Sequence, residues 1–333
     1  MFKEAKELIE SAQKIIVIQA ENPDGDSLGS ALALEEILGD LGKDIILYCP
    51  VEIPKYMHYV TGWDRVVTDF DTSADLAIIV DTSADILITK VLETPGVRHF
   101  LESHPVLVID HHVGSESTLS FAHTALLDDA VSTSEVIYKF AVDAGWAINN
   151  QAAENMMVAL LSDTLGLTTQ NVSSTSFLIA SKLTELGARV ADIELRRREF
   201  MKKSPEILAY KGQLLSRIEY LLDGKLALVH IPWEEIQMYS DKYNPSVLVL
   251  DEIRMVEGVE IGVAIKTYPD GKLTGKLRSN LPISADVAGF FGGGGHAYAA
   301  GFRVYEPLDT IKPELLTAVD KALKELKHDT QTA

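Results

Sequence analysis

Along the first half of the chain, short runs of consecutive apolar residues alternate with stretches of helical period. The runs are "KIIVIQ", "DIILYC", "LAIIVD" ending at Asp81 and "PVLVID" ending at Asp110, and a helical pattern over 27–39 follows the first. Unbroken apolar strands separated by helices predict a mostly parallel sheet with helices on both faces. In such sheets ligands sit beyond the carboxyl ends of the strands. Three of the four runs lead directly into polar, acid-bearing segments: "QAENPDGD", "DTSAD" and "DHHVGS". The pattern therefore places these acids on one rim.

Helical period continues over 132–220, interrupted by the Ser/Thr-rich "SDTLGLTTQNVSSTS" around Asp163. Within it, "IELRRREFMKKSPEILAYKGQLL" gathers much of the positive charge and reads as a helical connector. From about Lys225 strands return as "KLALVHI", "VEIGVAIKTY" and "KLTGKLRS", the last two joined by the hairpin signal "PDGK". The predicted fold is α/β: a mostly parallel sheet with helices on both faces over 1–188, a helical linker over 189–224, and a smaller α/β mixed-sheet domain over 225–328.

Length agrees with two domains, since 333 residues exceed an ordinary single core. One cysteine, Cys49, excludes an internal disulfide framework and makes a reducing cytoplasm the expected location. No apolar run reaches a membrane span, and "MFKEAKELIE" lacks the form of a secretory signal. The net charge of −19 argues against a broad grip on long nucleic acid, which needs clustered Lys and Arg. It is compatible with phosphate chemistry where divalent metals cancel local carboxylates.

Several uncompensated acids on one rim would repel one another, and metal ions resolve that conflict. Asp24, Asp26, Asp81, Asp110 and Asp163 are the candidates, with His111 and His112 of "DHH" beside them. Carboxylate and imidazole ligands together suit Mn²⁺, with Zn²⁺, Fe²⁺ and Co²⁺ as competitors. The second constellation is "GGGGHAYAAGF", over 292–302. Its consecutive glycines read as close backbone approach to an anion, and Arg278 of "KLRSN" is the natural partner because its planar fork holds a phosphate.

"NPDGDSLGS", "IIVDTSAD", "DHH", "SDT", "LRS" and "GGGGHAYAAGF" in that order resemble the DHH phosphoesterase family with its C-terminal DHH-associated domain, over nearly the whole chain. The architecture is similar to the short RecJ-like members: nano-RNases, phosphatases of 3′-phosphoadenosine 5′-phosphate, and phosphodiesterases of cyclic di-AMP or its linear product. The resemblance implies two Mn²⁺ ions, the first on Asp24 and Asp81, the second on Asp26, Asp81, His111 and Asp163, with Asp81 bridging. It implies that His112 faces the scissile phosphate or supports the attacking water, with Asp110 orienting its neighbours. Arg278, Ser279 and Gly293, Gly294, Gly295 and His296 would hold a phosphate or base of a short nucleotide. Ser132 of "VSTSEV" reads equally as nucleotide-pocket lining and as a helix N-cap. No long nucleic acid or membrane partner is expected, and the exposed face of the helical region is compatible with a homodimer.

The pattern breaks at Ala20, where the family has a first-motif histidine, and more quietly at Ala297 and in "LGLTTQ". Two readings compete: a metallohydrolase of short nucleotides with a weakened first metal site, or a nucleotide-binding protein that no longer cleaves. Five intact metal-facing positions favour the enzyme, acting on diadenylate, cyclic di-AMP or very short oligoribonucleotides.

Overall fold

The computed structural model describes residues 2–112 and 117–332, with side chains given throughout these except at 296 and 327–332. It divides into two compact units, up to Lys202 and from Lys203 onward. The first holds α1 (Phe2–Ser11), β1 (Lys14–Ile18), α2 (Gly25–Asp40), β2 (Asp44–Tyr48), β3 (Leu76–Val80), α3 (Thr89–Glu93) and α4 (Val97–Ser103). It continues with β4 (Val106–Asp110), β5 (Thr124–Leu127), α5 (Thr133–Ala144), α6 (Asn150–Asp163), α7 (Ser174–Glu185) and α8 (Val190–Phe200). The strands form one parallel sheet in the order β2-β1-β3-β4-β5.

Both faces of this sheet are covered, as unbroken apolar strands require. Ile15 and Val17 of β1 enter a core with α1, α2, α5 and α6, whereas Ile16 and Ile18 face α3 and α4 through Val91, Phe100 and Leu101. The strand order reverses direction between β1 and β3, so the turns after these strands open at the topological switch point. There α2 lies against α6 at close range. A Cβ on Gly29 would stand 2.6 Å from the Asn155 carbonyl oxygen, and one on Gly25 would stand 2.3 Å from Ser162 Oγ. These two glycines let the amino end of α2 meet the carboxyl end of α6.

The second unit comprises α9 (Pro205–Ser216), β6 (Glu219–Leu221), β7 (Leu226–Ile231), α10 (Trp233–Tyr239), α11 (Pro245–Arg254), β8 (Ile261–Thr267) and β9 (Leu273–Ser279). It ends with α12 (Ser284–Phe290), β10 (Gly294–His296), β11 (Ala299–Val304) and α13 (Leu308–Thr332). Its mixed sheet runs β10-β11-β9-β8-β7-β6, with β7 and β8 parallel and the other pairs antiparallel. The "PDGK" turn closes the β8–β9 hairpin, with Gly271 at φ 78°.

The stretch expected as a separate linker over 189–224 divides between the units. α8 packs in the first, where Arg196 pairs with Glu154, while α9 and β6 belong to the second. Its positive charge is largely consumed locally, Arg197 and Arg198 both reaching Glu194. Among the described residues no helix is long and apolar enough to cross a membrane.

Candidate metal centre and anion-binding face

Four elements deliver side chains to one point on the rim of the parallel sheet. Asp26 comes from the first turn of α2, Asp81 from the residue after β3, His111 from the residue after β4, and Asp163 from the last residue of α6. His111 Nε2 lies 3.8 Å from Asp26 Oδ2, 3.6 Å from Asp81 Oδ1 and 3.5 Å from Asp163 Oδ2. Its Nδ1 faces the Ala130 carbonyl at 3.1 Å, which assigns the Nδ1 proton there and leaves Nε2 as the lone-pair donor. Asp81 takes a left-handed backbone, φ 62°, a conformation aspartate tolerates and one that turns its carboxylate out of the strand direction.

The electrostatics of this point are those of an anion cluster lacking its counter-charge. Burial, and then the nearby Asp163, push Asp26 up to about 7. Burial, Asp26 and Asp24 hold Asp81 well above the ordinary carboxylate value. Asp163 is raised by burial, with Asp24 adding to the rise. Ligand atoms converge in two groups that share His111, one with Asp26 and Asp163 and the other with Asp81, Asp110 and His112, and such mixed carboxylate and imidazole sets are of the kind that suits a divalent cation.

Asp24 stands at the start of α2. Its Oδ1 caps α2, accepting from the amides of Asp26 and Ser27 at 3.0 Å each, so one oxygen is engaged with backbone. Asp24 is not among the residues whose ligand atoms converge with those of His111, although its charge is felt by Asp26, Asp81 and Asp163. Glu21, beside Ala20, is bound elsewhere: its carboxylate accepts the Lys90 amide at 2.8 Å.

His112 and Asp110 form a second pair on the same rim. The buried Asp110 accepts from His112 Nδ1 at 2.7 Å and from the His112 amide at 3.2 Å. Burial works to raise Asp110, but the hydrogen bond and charge of His112 prevail and lower it. The same hydrogen bond raises His112, whose side chain is largely exposed.

The amino end of α5 supports the centre, and this was missed in the sequence. Thr133 N donates to Asp26 Oδ2 at 2.7 Å, Ser134 N to Asp26 Oδ1 at 3.3 Å, and Thr133 Oγ1 to Asp81 Oδ1 at 3.0 Å. Helix amides aimed at a carboxylate lower its cost of ionisation. The available signal was "VSTSEV", a cap motif arriving at an acidic rim. Ser132 itself is fully buried and caps α5, its hydroxyl engaged by Glu135 N and Ser134 Oγ.

In the second unit the strands that carry the expected phosphate residues are joined through β11, where Ala299 lies across from both His296 and Arg278. Arg278 is half-buried on β9, with Nη1 donating to the Leu277 carbonyl. Ser279 is fully buried and its hydroxyl is held by Ser284 Oγ at 2.8 Å and by the Leu281 carbonyl. The glycine run is a strand edge rather than a loop. A Cβ on Gly293 would stand 2.3 Å from the Gly301 carbonyl oxygen and one on Gly295 2.6 Å from that of Ala299, so these two glycines admit the backbone of β11. Gly294 has open space above it. The His296 side chain lies outside the described residues.

Residues 14–162 match the DHH family, N-terminal domain. The chain carries a DHH-family domain. Its β4 rim supplies the Asp110-His111-His112 triplet, and the converging acids come from the same matched span or the residue after it. Over 307 residues the chain is 26% identical to the bifunctional oligoribonuclease and PAP phosphatase NrnA of Thermus thermophilus, covering 91% of this chain and 88% of that protein. It is 22% identical to the cyclic-di-AMP phosphodiesterase GdpP of Bacillus subtilis over 92% of this chain and 48% of that one. An exopolyphosphatase-related protein from Bacteroides fragilis shares the fold with a TM-score of 0.82 at 22% identity, covering 98% of this chain and 96% of that one.

Proposed function

We propose that this DHH-domain protein hydrolyses phosphoester bonds in short nucleotides with a divalent cation, manganese by preference, held by Asp26, Asp81, His111 and Asp163. The observation that carries the reading is the approach of His111 Nε2 to three carboxylates from three other elements within 3.8 Å. The names of the relatives, an oligoribonuclease and PAP phosphatase and a cyclic-di-AMP phosphodiesterase, support a short nucleotide as substrate, with diadenylate, cyclic di-AMP, very short oligoribonucleotides and 3′-phosphoadenosine 5′-phosphate as its forms.

A divalent cation, when bound in such a site, supplies Lewis acidity toward phosphate oxygens and makes a coordinated water acidic near neutral pH. The protein's own groups do the rest. Asp110 accepts from His112 Nδ1 and raises its affinity for a proton, so the exposed His112, when protonated, can donate from Nε2 to a phosphate oxygen as charge builds there. Thr133 and the α5 amides keep Asp26 and Asp81 in place for the cation.

A second reading, nucleotide binding without cleavage, draws on the surroundings of Ala20, where Glu21 is bound to the Lys90 amide and cannot stand in for a missing ligand. The two separate on one experiment: count bound Mn²⁺ per chain and follow diadenylate conversion to AMP for the wild type, the EDTA-treated protein, His111→Ala and Ala20→His. Cleavage that disappears with EDTA and with His111→Ala supports hydrolysis. Nucleotide binding with no cleavage, unchanged by Ala20→His, overturns it.

A further inference from the structure

Beside the metal centre, and wholly within the first unit, lies a cavity of about 590 Å³. Its walls come from the turn Lys55–Met57 and the residues after it, from α6 and its following loop, and from α8. They are mostly apolar and aromatic: Tyr56, Tyr59, Leu161, Leu165, Ile193 and Met201. Two further lining residues tie the cavity to the centre. Gly25 stands between Asp24 and Asp26, and Ser162 directly precedes Asp163. Burial and then the charge of Asp24 raise the Tyr56 hydroxyl, so this ring also stands near the acidic rim.

The lining suits a flat organic ring better than a phosphate. Among the described residues it holds one cation, Arg197, and this is engaged with Glu194, through Nε at 2.7 Å and Nη2 at 3.0 Å. Its charge is therefore already matched. Apolar and aromatic walls with a few polar groups are the usual form of a site for an organic ligand. The tyrosine wall is held in place: Arg196 donates from Nε to the Tyr59 carbonyl at 3.3 Å and pairs with Glu154. A nucleobase stacks on such a ring through its π-face, and the fused rings of a purine offer more area than the single ring of a pyrimidine.

The rim on the α6 side adopts a costly conformation. Leu165, Gly166 and Leu167 are all left-handed, at φ 49°, 77° and 66°, a backbone that leucine rarely takes. Thr164 pins this loop, its hydroxyl accepting from Leu167 N at 2.9 Å and its carbonyl from Thr168 N at 2.8 Å. Leu165 is thereby left 75% exposed on the lining of the cavity. Strain and an exposed large apolar side chain at one position beside a site point to a ligand contact.

We infer that this cavity seats the nucleobase of the substrate, that Tyr56 is its stacking side chain and Leu165 its rim, and that together they favour a purine over a pyrimidine. The inference rests on the proposed phosphoester hydrolysis and adds the base to it. A phosphate at the Asp26, Asp81, His111 and Asp163 centre and a base in this cavity share the ends of α2 and α6 as a common wall.

Binding of adenosine and of cytidine to the full chain in EDTA, read by calorimetry, tests the cavity without phosphate, metal or cleavage. Adenosine should bind about tenfold tighter than cytidine. Tyr56→Ala should weaken adenosine by about tenfold, the lower end of base–aromatic stacking, and Tyr56→Phe should restore it. Leu165→Gly removes the rim and the left-handed strain together, so it should weaken adenosine without lowering the melting temperature, a pair of effects that a damaged fold does not give. Adenosine that does not bind, that binds no tighter than cytidine, or that binds Tyr56→Ala and Leu165→Gly as tightly as wild type overturns the inference. Tyr56-dependent adenosine binding without diadenylate hydrolysis would leave the cavity assigned and remove the proposed activity; hydrolysis with adenosine binding indifferent to both substitutions would do the reverse.

Discussion

Thr133 donates its hydroxyl to Asp81 across 3.0 Å while its backbone amide holds Asp26 at 2.7 Å, so one residue at the start of α5 positions carboxylates from two other elements. Its side chain and main chain act on different acids, and substitution separates them. Thr133→Val keeps the shape and the amide and deletes only the bond to Asp81. Mn²⁺ affinity, read by calorimetry, should fall by about tenfold, in line with losses of groups that orient metal ligands. An unchanged affinity would show that Asp81 is held by its backbone alone.

Removal of metal should expose the repulsion among the acids. The folded-state value of Asp26, about 7, lies above its unfolded value of 3.8, so the folded state binds the extra proton. The stability from this group is complete below about 4 and is lost as pH rises through 7. EDTA-treated protein should therefore melt higher at pH 5.5 than at pH 7.5, and Mn²⁺ should recover the loss at pH 7.5. Asp26→Asn should raise the metal-free melting temperature at pH 7.5 and reduce the Mn²⁺-dependent shift. Melting curves that respond to neither pH nor metal would count against a buried, repelling cluster.

The close approach of α2 to α6 makes Gly29 intolerant of a side chain. The Cβ of Gly29→Ala would meet a backbone oxygen, Asn155 O, at 2.6 Å, and a backbone atom has no rotamer with which to withdraw. Overpacking of this kind costs about 1–3 kcal/mol, which urea unfolding resolves. Since α2 carries Asp26 and α6 ends in Asp163, Mn²⁺ affinity should fall together with stability.

Lys266 gives a stability change of opposite sense with pH. Its folded-state value, about 8, is below the 10.5 of the unfolded chain, so the unfolded state binds the proton more tightly. Below pH 8 the buried charge destabilises the fold, and stability from this group rises between about 8 and 10.5. Lys266→Met should be more stable than wild type at pH 7 by about 1–3 kcal/mol, and the difference should shrink toward pH 10. Urea midpoints at the two pH values decide it. A constant difference would mean that Lys266 does not titrate within the sheet.

Legibility in the sequence followed the length and apolarity of each element. β1, β3 and β4 are legible because apolar runs buried on both faces leave an unbroken pattern, and the acids that follow them are local in sequence; the edge strand β2 is legible from its apolar Ile45–Tyr48 run although it is only partly buried. β5, β6 and β10 were not read: they are strands of three or four residues at sheet edges, with half-buried or side-chain-free positions that carry no period. Ser132 reads equally as a pocket residue and as a cap, and Ser279 as a ligand contact, because a hydroxyl in a short motif looks the same whether it meets a substrate or a neighbouring amide. Both are fully buried, with their hydroxyls engaged by neighbouring groups.

By itself, then, the sequence determined the order of strands and helices, the parallel sheet of the first unit and the presence of acids at its strand ends, all consequences of local hydrophobic period. Only the tertiary structure decided which acids meet. Asp26 and Thr133 are 107 residues apart and touch because β1, β3 and β4 are neighbours and glycines let α2 close on α6. Period is encoded residue by residue, whereas convergence depends on register and on how closely backbones can approach.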